Sequence, residues 1–261
     1  MASNPDIMPA LFLGHGSPMN AVEDNPFARA WERLGRDLPR PRAVVCISAH
    51  WETNGTFVTA MQQPRTLHDF SGFPPELYAM QYRAPGDPDL AHMLKDRVQD
   101  GGIELDEAWG LDHGAWSLLI RMYPSADIPV VQLSLDRTLT PHQHYHLARQ
   151  LKFLRREGVL VLGSGNIVHN LGVIDFSPDA EPFDWALEFD TQIAMALDKA
   201  DHQRVIDYPA FGETARKAVP TPEHYLPLLY IIALQEPGER VTFPVEGVTL
   251  RSISMRGVRI A

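Results

Sequence analysis

Four short apolar runs constrain this chain more than any other feature: Ala10–Leu13, Ala43–Ser48, Ile128–Leu133 and Val159–Leu162. Each is continuous rather than alternating and rich in β-branched residues, the pattern of a strand covered on both faces. Between and after them come segments of helical period. Asp89–Val98 sets Leu90, Met93, Leu94 and Val98 on one side and stops at Gly101, and Thr140–Arg156 opens on Thr140-Pro141 and carries Leu147, Leu151 and Leu154. A third helix is expected from Trp185 to Lys199, and a fourth from Thr221-Pro222 through Leu226 to Leu234. Such alternation predicts an α/β protein, a three-layer α/β/α arrangement around a mainly parallel sheet. The closing stretch VTFPVEGVTLRSISMRGVRI reads as antiparallel pairing, so the sheet should be mixed. With no repeat or low-complexity linker, the 261 residues are expected to form a single domain over 1–261.

Several function classes are disfavoured. The apolar runs fall far short of the ~20 residues that cross a bilayer, and the first ten residues lack the basic start and apolar core of a signal segment. A cytoplasmic protein with no membrane partner is expected. A net charge of −10 without a basic cluster argues against nucleic acid, whose phosphates are met by lysine and arginine. The single cysteine, Cys46, lies within AVVCISAH; it cannot form an internal disulfide and reads as core packing. Oligomeric state is not legible.

Histidines recur where strands end. LFLGHGSPMN places His15 after the first strand, VVCISAHW places His50 just past the second, and VLVLGSGNIVHN ends a strand in Gly163-Ser164-Gly165-Asn166 with His169 three residues later. One histidine at a strand end is ordinarily structural. Ligands of open α/β sheets, however, bind at the carboxyl ends of strands, where residues remote in sequence converge. His224 in PTPEHYLPLLY, placed in the first turn of a helix, is a fourth candidate for a shared metal site. His113, between Asp112 and Gly114 and flanked by Trp109 and Trp116, reads either as a turn histidine under a tryptophan or as a general acid/base.

Other features invite a functional and a plain reading together. His142 and His146 have the i, i+4 spacing of a metal clip, but His144 aligns with the core leucines and its neighbours then face water. The Pro- and aromatic-rich stretch Arg65–Asp87 is either a surface loop or a functional one whose Phe70, Phe73, Tyr78 and Tyr82 wall a ring-binding pocket. The Gly163–Asn166 turn is only a weak match to a phosphate cradle.

Taken in order, LFLGHGSPMN, SAHW, HDFSGFP, WGLDHGAW, SGNIVHN and PTPEHYLPLLY closely resemble the DOPA-4,5-dioxygenase family, a branch of the class III extradiol ring-cleaving dioxygenases, from about Pro9 to the C-terminus. The resemblance implies a catechol such as DOPA opened with O₂ at a His-ligated non-haem metal. His15, His50 and His224 would be metal ligands, His169 a further ligand or the base beside the metal, and His113 a proton-handling or substrate-binding residue. The wider superfamily resembles the two-histidine, one-carboxylate Fe(II) pattern, whereas here His224 stands beside Glu223. An all-histidine set suits zinc at least as well as iron, so Fe(II) is implied for activity and Zn(II) for the isolated protein. Two other readings are a zinc-dependent hydrolase or amidase on a similar fold and a non-enzymatic catechol- or metal-binding protein.

Overall fold

The structure is a computed structural model and describes residues 7–177 and 180–261. Its strands are β1 (Ala10–Gly14), β2 (Ala43–Thr53), β3 (Phe57–Thr59), β4 (Glu104–Asp106), β5 (Val130–Asp136), β6 (Val159–Gly165), β7 (Val241–Thr242), β8 (Val248–Thr249), β9 (Ile253–Ser254) and β10 (Val258–Ile260). Eight of them form one sheet in the order β4-β3-β5-β2-β6-β1-β10-β7, and β8 pairs with β9 apart from it. The centre is built from the four expected strands. β5, β2, β6 and β1 run parallel, so their carboxyl ends open on one side of the sheet. The C-terminal segment adds the antiparallel part: β10 pairs with β1, Ala10 opposite Ile260, and β7 pairs with β10.

The helices are α1 (Pro26–Asp37), α2 (Pro75–Ala79), α3 (Pro88–Arg97), α4 (His113–Met122), α5 (Pro141–Arg149), α6 (Phe153–Arg156), α7 (Asp184–Asp198), α8 (His202–Ile206), α9 (Glu213–Ala218) and α10 (Leu226–Ala233). Residues alternating along the strands feed two cores. Leu11, Leu13, Val44, Cys46, Leu160 and Leu162 pack with Trp31 of α1 and Trp116 of α4. Phe12, Val45, Ile47 and Val161 pack on the other face with Leu94, Leu147, Phe189 and Leu228, from α3, α5, α7 and α10. The result is the expected three-layer α/β/α fold. Caps fix the helix starts: Asn25 before Pro26, Asp87 before Pro88, and a Thr140–Gln143 capping box before α5.

Three expectations are corrected. The Thr140–Arg156 helix is two, α5 and α6, separated by a 3₁₀ turn at Gln150–Lys152. His50 lies within β2 rather than past it, where pairing with β5 is interrupted between Ile47 and Glu52. The interruption spends four β2 residues against one on β5, which turns His50 out of the ladder. Gly163-Ser164-Gly165 belongs to β6 and is no turn; Cβ atoms at Gly163 and Gly165 would meet the Pro227 and His224 carbonyls at 2.7 and 2.1 Å, so these glycines admit a crossing backbone. Among the described residues, no helix is long and apolar enough to cross a membrane.

Candidate metal centre

The parallel topology gathers the histidines. His15 follows β1 directly, His50 turns out of β2, and β6 between them supplies Ser164. His224 lies in the turn before α10, not in its first helical turn, held by Asn166 N–H donating to its carbonyl at 2.8 Å. His113 opens α4, whose N-cap is Asp112. Ring centroids of His15 and His50 stand 5.3 and 5.0 Å from that of His224, and His113 lies 3.9 Å from His50. His169 lies flat on His224, with centroids 3.4 Å apart and planes 9° from parallel. Ligand atoms of His15, His50 and His113 fall within 4.8 Å of one another, as do those of His169, Glu223 and His224. All five expected histidines thus line one cleft.

The hydrogen bonds orient their lone pairs. Ser164 Oγ donates to the Gly114 carbonyl at 2.6 Å, which leaves it to accept from His15 Nδ1 at 3.0 Å. His224 Nδ1 donates to Glu223 Oε1 at 2.9 Å, and His113 Nδ1 donates to Asp69 Oδ2 at 3.0 Å. His50 Nδ1 stands 3.3 Å from that same oxygen. With protons on Nδ1, the lone pairs lie on Nε2. His15 Nε2 and His50 Nε2 are 3.0 Å apart, and His224 Nε2 is buried with no hydrogen-bond partner. Burial and then the neighbouring imidazoles push the His15 and His224 pKa values well down. Burial, then His113, lowers that of His50 to about 3, against the pull of Asp69. Burial chiefly lowers that of His169 to about 4. Converging neutral imidazoles with one orphaned nitrogen fit a divalent transition metal. The carboxylates at Nδ1 of His50, His113 and His224 are of the kind that fixes a ligand histidine.

An apolar cavity of about 320 Å³ opens on these rings, walled by Phe70, Phe73, Leu171, Ile174, Phe176 and Leu250. Two of the four proposed wall aromatics are there. Tyr78 packs on Phe70 at 5.2 Å, while Tyr82 is buried elsewhere, its hydroxyl donating to the Tyr123 carbonyl at 3.1 Å. Besides the clustered imidazoles, the ring beside His113 is Phe70, in a T-shaped contact at 5.5 Å, and not a tryptophan. Nor is the adjacent Asp112 its carboxylate partner, since Asp112 accepts from Ser48 Oγ at 2.7 Å and caps α4. The partner is Asp69, which sequence reasoning missed although HDF sits in the stretch it singled out. His144 is buried against Tyr230 and His142 pairs with Asp207 at the surface, so they form no clip with His146.

A cleft of histidines at the carboxyl ends of a parallel sheet, faced by an aromatic-walled pocket, defines a metal-dependent enzyme acting on a small aromatic molecule. The chain belongs to the family described as the catalytic LigB subunit of aromatic ring-opening dioxygenase, which matches residues 9–252, and it is an extradiol aromatic ring-opening dioxygenase. Enzymes of this family use a non-haem metal and O₂. The chain is 48% identical to a 4,5-DOPA dioxygenase extradiol of Escherichia coli (strain K12) over 97% of its own length and 94% of that protein. It is 38% identical to the 4,5-DOPA dioxygenase extradiol of Beta vulgaris over 87% of each. The crystal structure of an uncharacterized Escherichia coli K12 protein superposes with a TM-score of 0.85 at 44% identity, covering 97% of this chain and all (100%) of that one.

Proposed function

We propose that the chain, as one catalytic domain over 1–261, opens a 4-substituted catechol such as DOPA by 4,5-cleavage at an Fe(II) held by His15, His50 and His224. The observation that carries this is the orphaned, buried Nε2 of His224, on a ring whose centroid stands 5.3 and 5.0 Å from those of His15 and His50, whose own Nε2 atoms are 3.0 Å apart. Fe(II), when bound, supplies the redox link between catechol and O₂ that d¹⁰ zinc lacks. The protein does the rest. Phe70 and Phe73 line the slot for the ring, and Leu171, Ile174 and Leu250, which line the same cavity, exclude water. His113, held by Asp69 through Nδ1, presents a basic Nε2 to a catechol hydroxyl and returns the proton later. His169 is proposed as a second proton-handling group rather than a ligand. Supporting this is its ring, which lies flat on that of His224 with centroids 3.4 Å apart.

Zinc stands above ferrous iron in affinity for such donors, so protein as isolated is expected to hold Zn(II) and turn over poorly. The test is to strip the metal, reload anaerobically with Fe(II) or Zn(II), and follow O₂ uptake and the visible spectrum with DOPA. One O₂ consumed per DOPA and a yellow product, with iron only, is the expected result. Equal turnover with zinc would replace this reading with metal-bound water acting in hydrolysis.

A further inference from the structure

Among the described residues, Asp69 is the one carboxylate within 3.3 Å of two of the clustered histidines. Its Oδ2 accepts from His113 Nδ1 at 3.0 Å and lies 3.3 Å from His50 Nδ1, while its Oδ1 accepts the His113 backbone N–H at 2.9 Å. The first histidine opens α4, the second leaves β2, and Asp69 comes from the loop that carries Phe70 and Phe73. Three separately placed parts of the site therefore meet at one side chain. An ionised carboxylate accepts and never donates, so both ring protons are drawn to Nδ1 and both Nε2 atoms are left with lone pairs. Hydrogen bonds and charge from His113 and His50 outweigh the burial that opposes ionisation of Asp69 and hold its pKa below the usual carboxylate range.

We propose that Asp69 is the positioning residue of this centre: it sets the tautomers of His50 and His113 together, and in doing so docks the aromatic wall against the metal site. The proposal rests on the metal-site reading above for its consequence, but not for its geometry.

Asp69→Asn separates this role from simple loop docking. The His113 backbone N–H requires an acceptor, so the Asn oxygen takes the place of Oδ1 and the amide NH₂ replaces Oδ2. That NH₂ then faces two Nδ1–H groups, donor against donor. The rings relieve the conflict by moving their protons to Nε2, so that Nδ1 accepts and Nε2 no longer offers a lone pair. The loop keeps its backbone anchor.

The experiment records ¹⁵N spectra of histidine-labelled, metal-free wild type, Asp69→Asn and Asp69→Glu, with each protein's affinity for Zn(II) by chelator competition and its kcat and KM after Fe(II) loading. In Asp69→Asn the His50 and His113 signals should change from the Nδ1–H to the Nε2–H pattern. Metal affinity should fall about 10- to 100-fold and kcat about 10²-fold or more, with KM changing little. Asp69→Glu, still acceptor-only, should keep the wild-type tautomers and recover part of the affinity. Unchanged tautomers with near wild-type metal affinity in Asp69→Asn would overturn the proposal, as would equal losses in both variants without a tautomer change. Should the wild type neither bind metal nor cleave catechols, the functional reading fails instead, and the nitrogen spectra of the metal-free proteins still decide the role of Asp69.

Discussion

Gly165→Ala tests whether the glycines of β6 serve the metal centre through backbone contact. A Cβ at Gly165 would stand 2.1 Å from the His224 carbonyl oxygen and 3.1 Å from its carbon. Ordinary contact requires the turn to retreat by about 1 Å, because β6 beneath is held by β1 through Gly165 itself and by β2 as far as Ser164. That retreat strains the Asn166 N–H bond to the same carbonyl, now 2.8 Å, and carries the His224 ring away from His15 and His50. The weakened bond costs ~1 kcal/mol and the overpacking ~1–3 kcal/mol, so a stability loss of about 2–4 kcal/mol is expected in denaturant titration. A catalytic group misplaced by about 1 Å costs on the order of 10² in rate. Zn(II) affinity by chelator competition and Fe(II)-dependent turnover should therefore both fall, affinity by roughly tenfold or more. A variant that loses stability yet keeps wild-type affinity and turnover would show that the glycine serves packing alone and that His224 is not held through its backbone.

Two further outcomes separate roles at the cleft and beyond it. His15→Ala, His50→Ala and His224→Ala should each release most of the bound metal on elemental analysis, whereas His113→Ala should retain it while losing ~10²-fold in turnover; retention in the first three or full activity in the last contradicts the assignment. His144, buried under Tyr230, has its pKa lowered by burial to about 4 from 6.5, so between these values the unfolded chain binds a proton that the folded chain refuses. Stability should fall as pH drops through that window, by up to about 3 kcal/mol from this group, and the advantage of wild type over His144→Gln should shrink accordingly between pH 7 and pH 4; a constant difference rules the coupling out.

What the sequence made legible follows from which signals are local. The central strands were readable because each is a self-contained run of β-branched residues, and parallel neighbours deliver their ends to one place whatever the intervening chain does. His15 and His50 were found in this way. α4 went unread although its pattern is no less amphipathic than that of α3; HGAWSLLIRM is buried nearly all round, with Ala115, Trp116, Ser117, Leu118 and Leu119 all inside, and its start lies in the WGLDHG segment that reads as a turn. β3 and β4, three residues each, are too short to carry a period, whereas α1, which buries Ala28, Ala30, Trp31 and Leu34 along one side and starts at Asn25-Pro26, was legible and was missed. Asp69 was lost for a different reason. Its partners are 44 residues away at His113 and nearer at His50, across a loop whose path only tertiary structure fixes, while Asp112 offered a closer carboxylate. Asp112 was already committed, since capping α4 and accepting from Ser48 set the start of the helix on which His113 stands. The two acids thus divide the work: the neighbour in sequence places the backbone of His113, and the neighbour in space orients its ring.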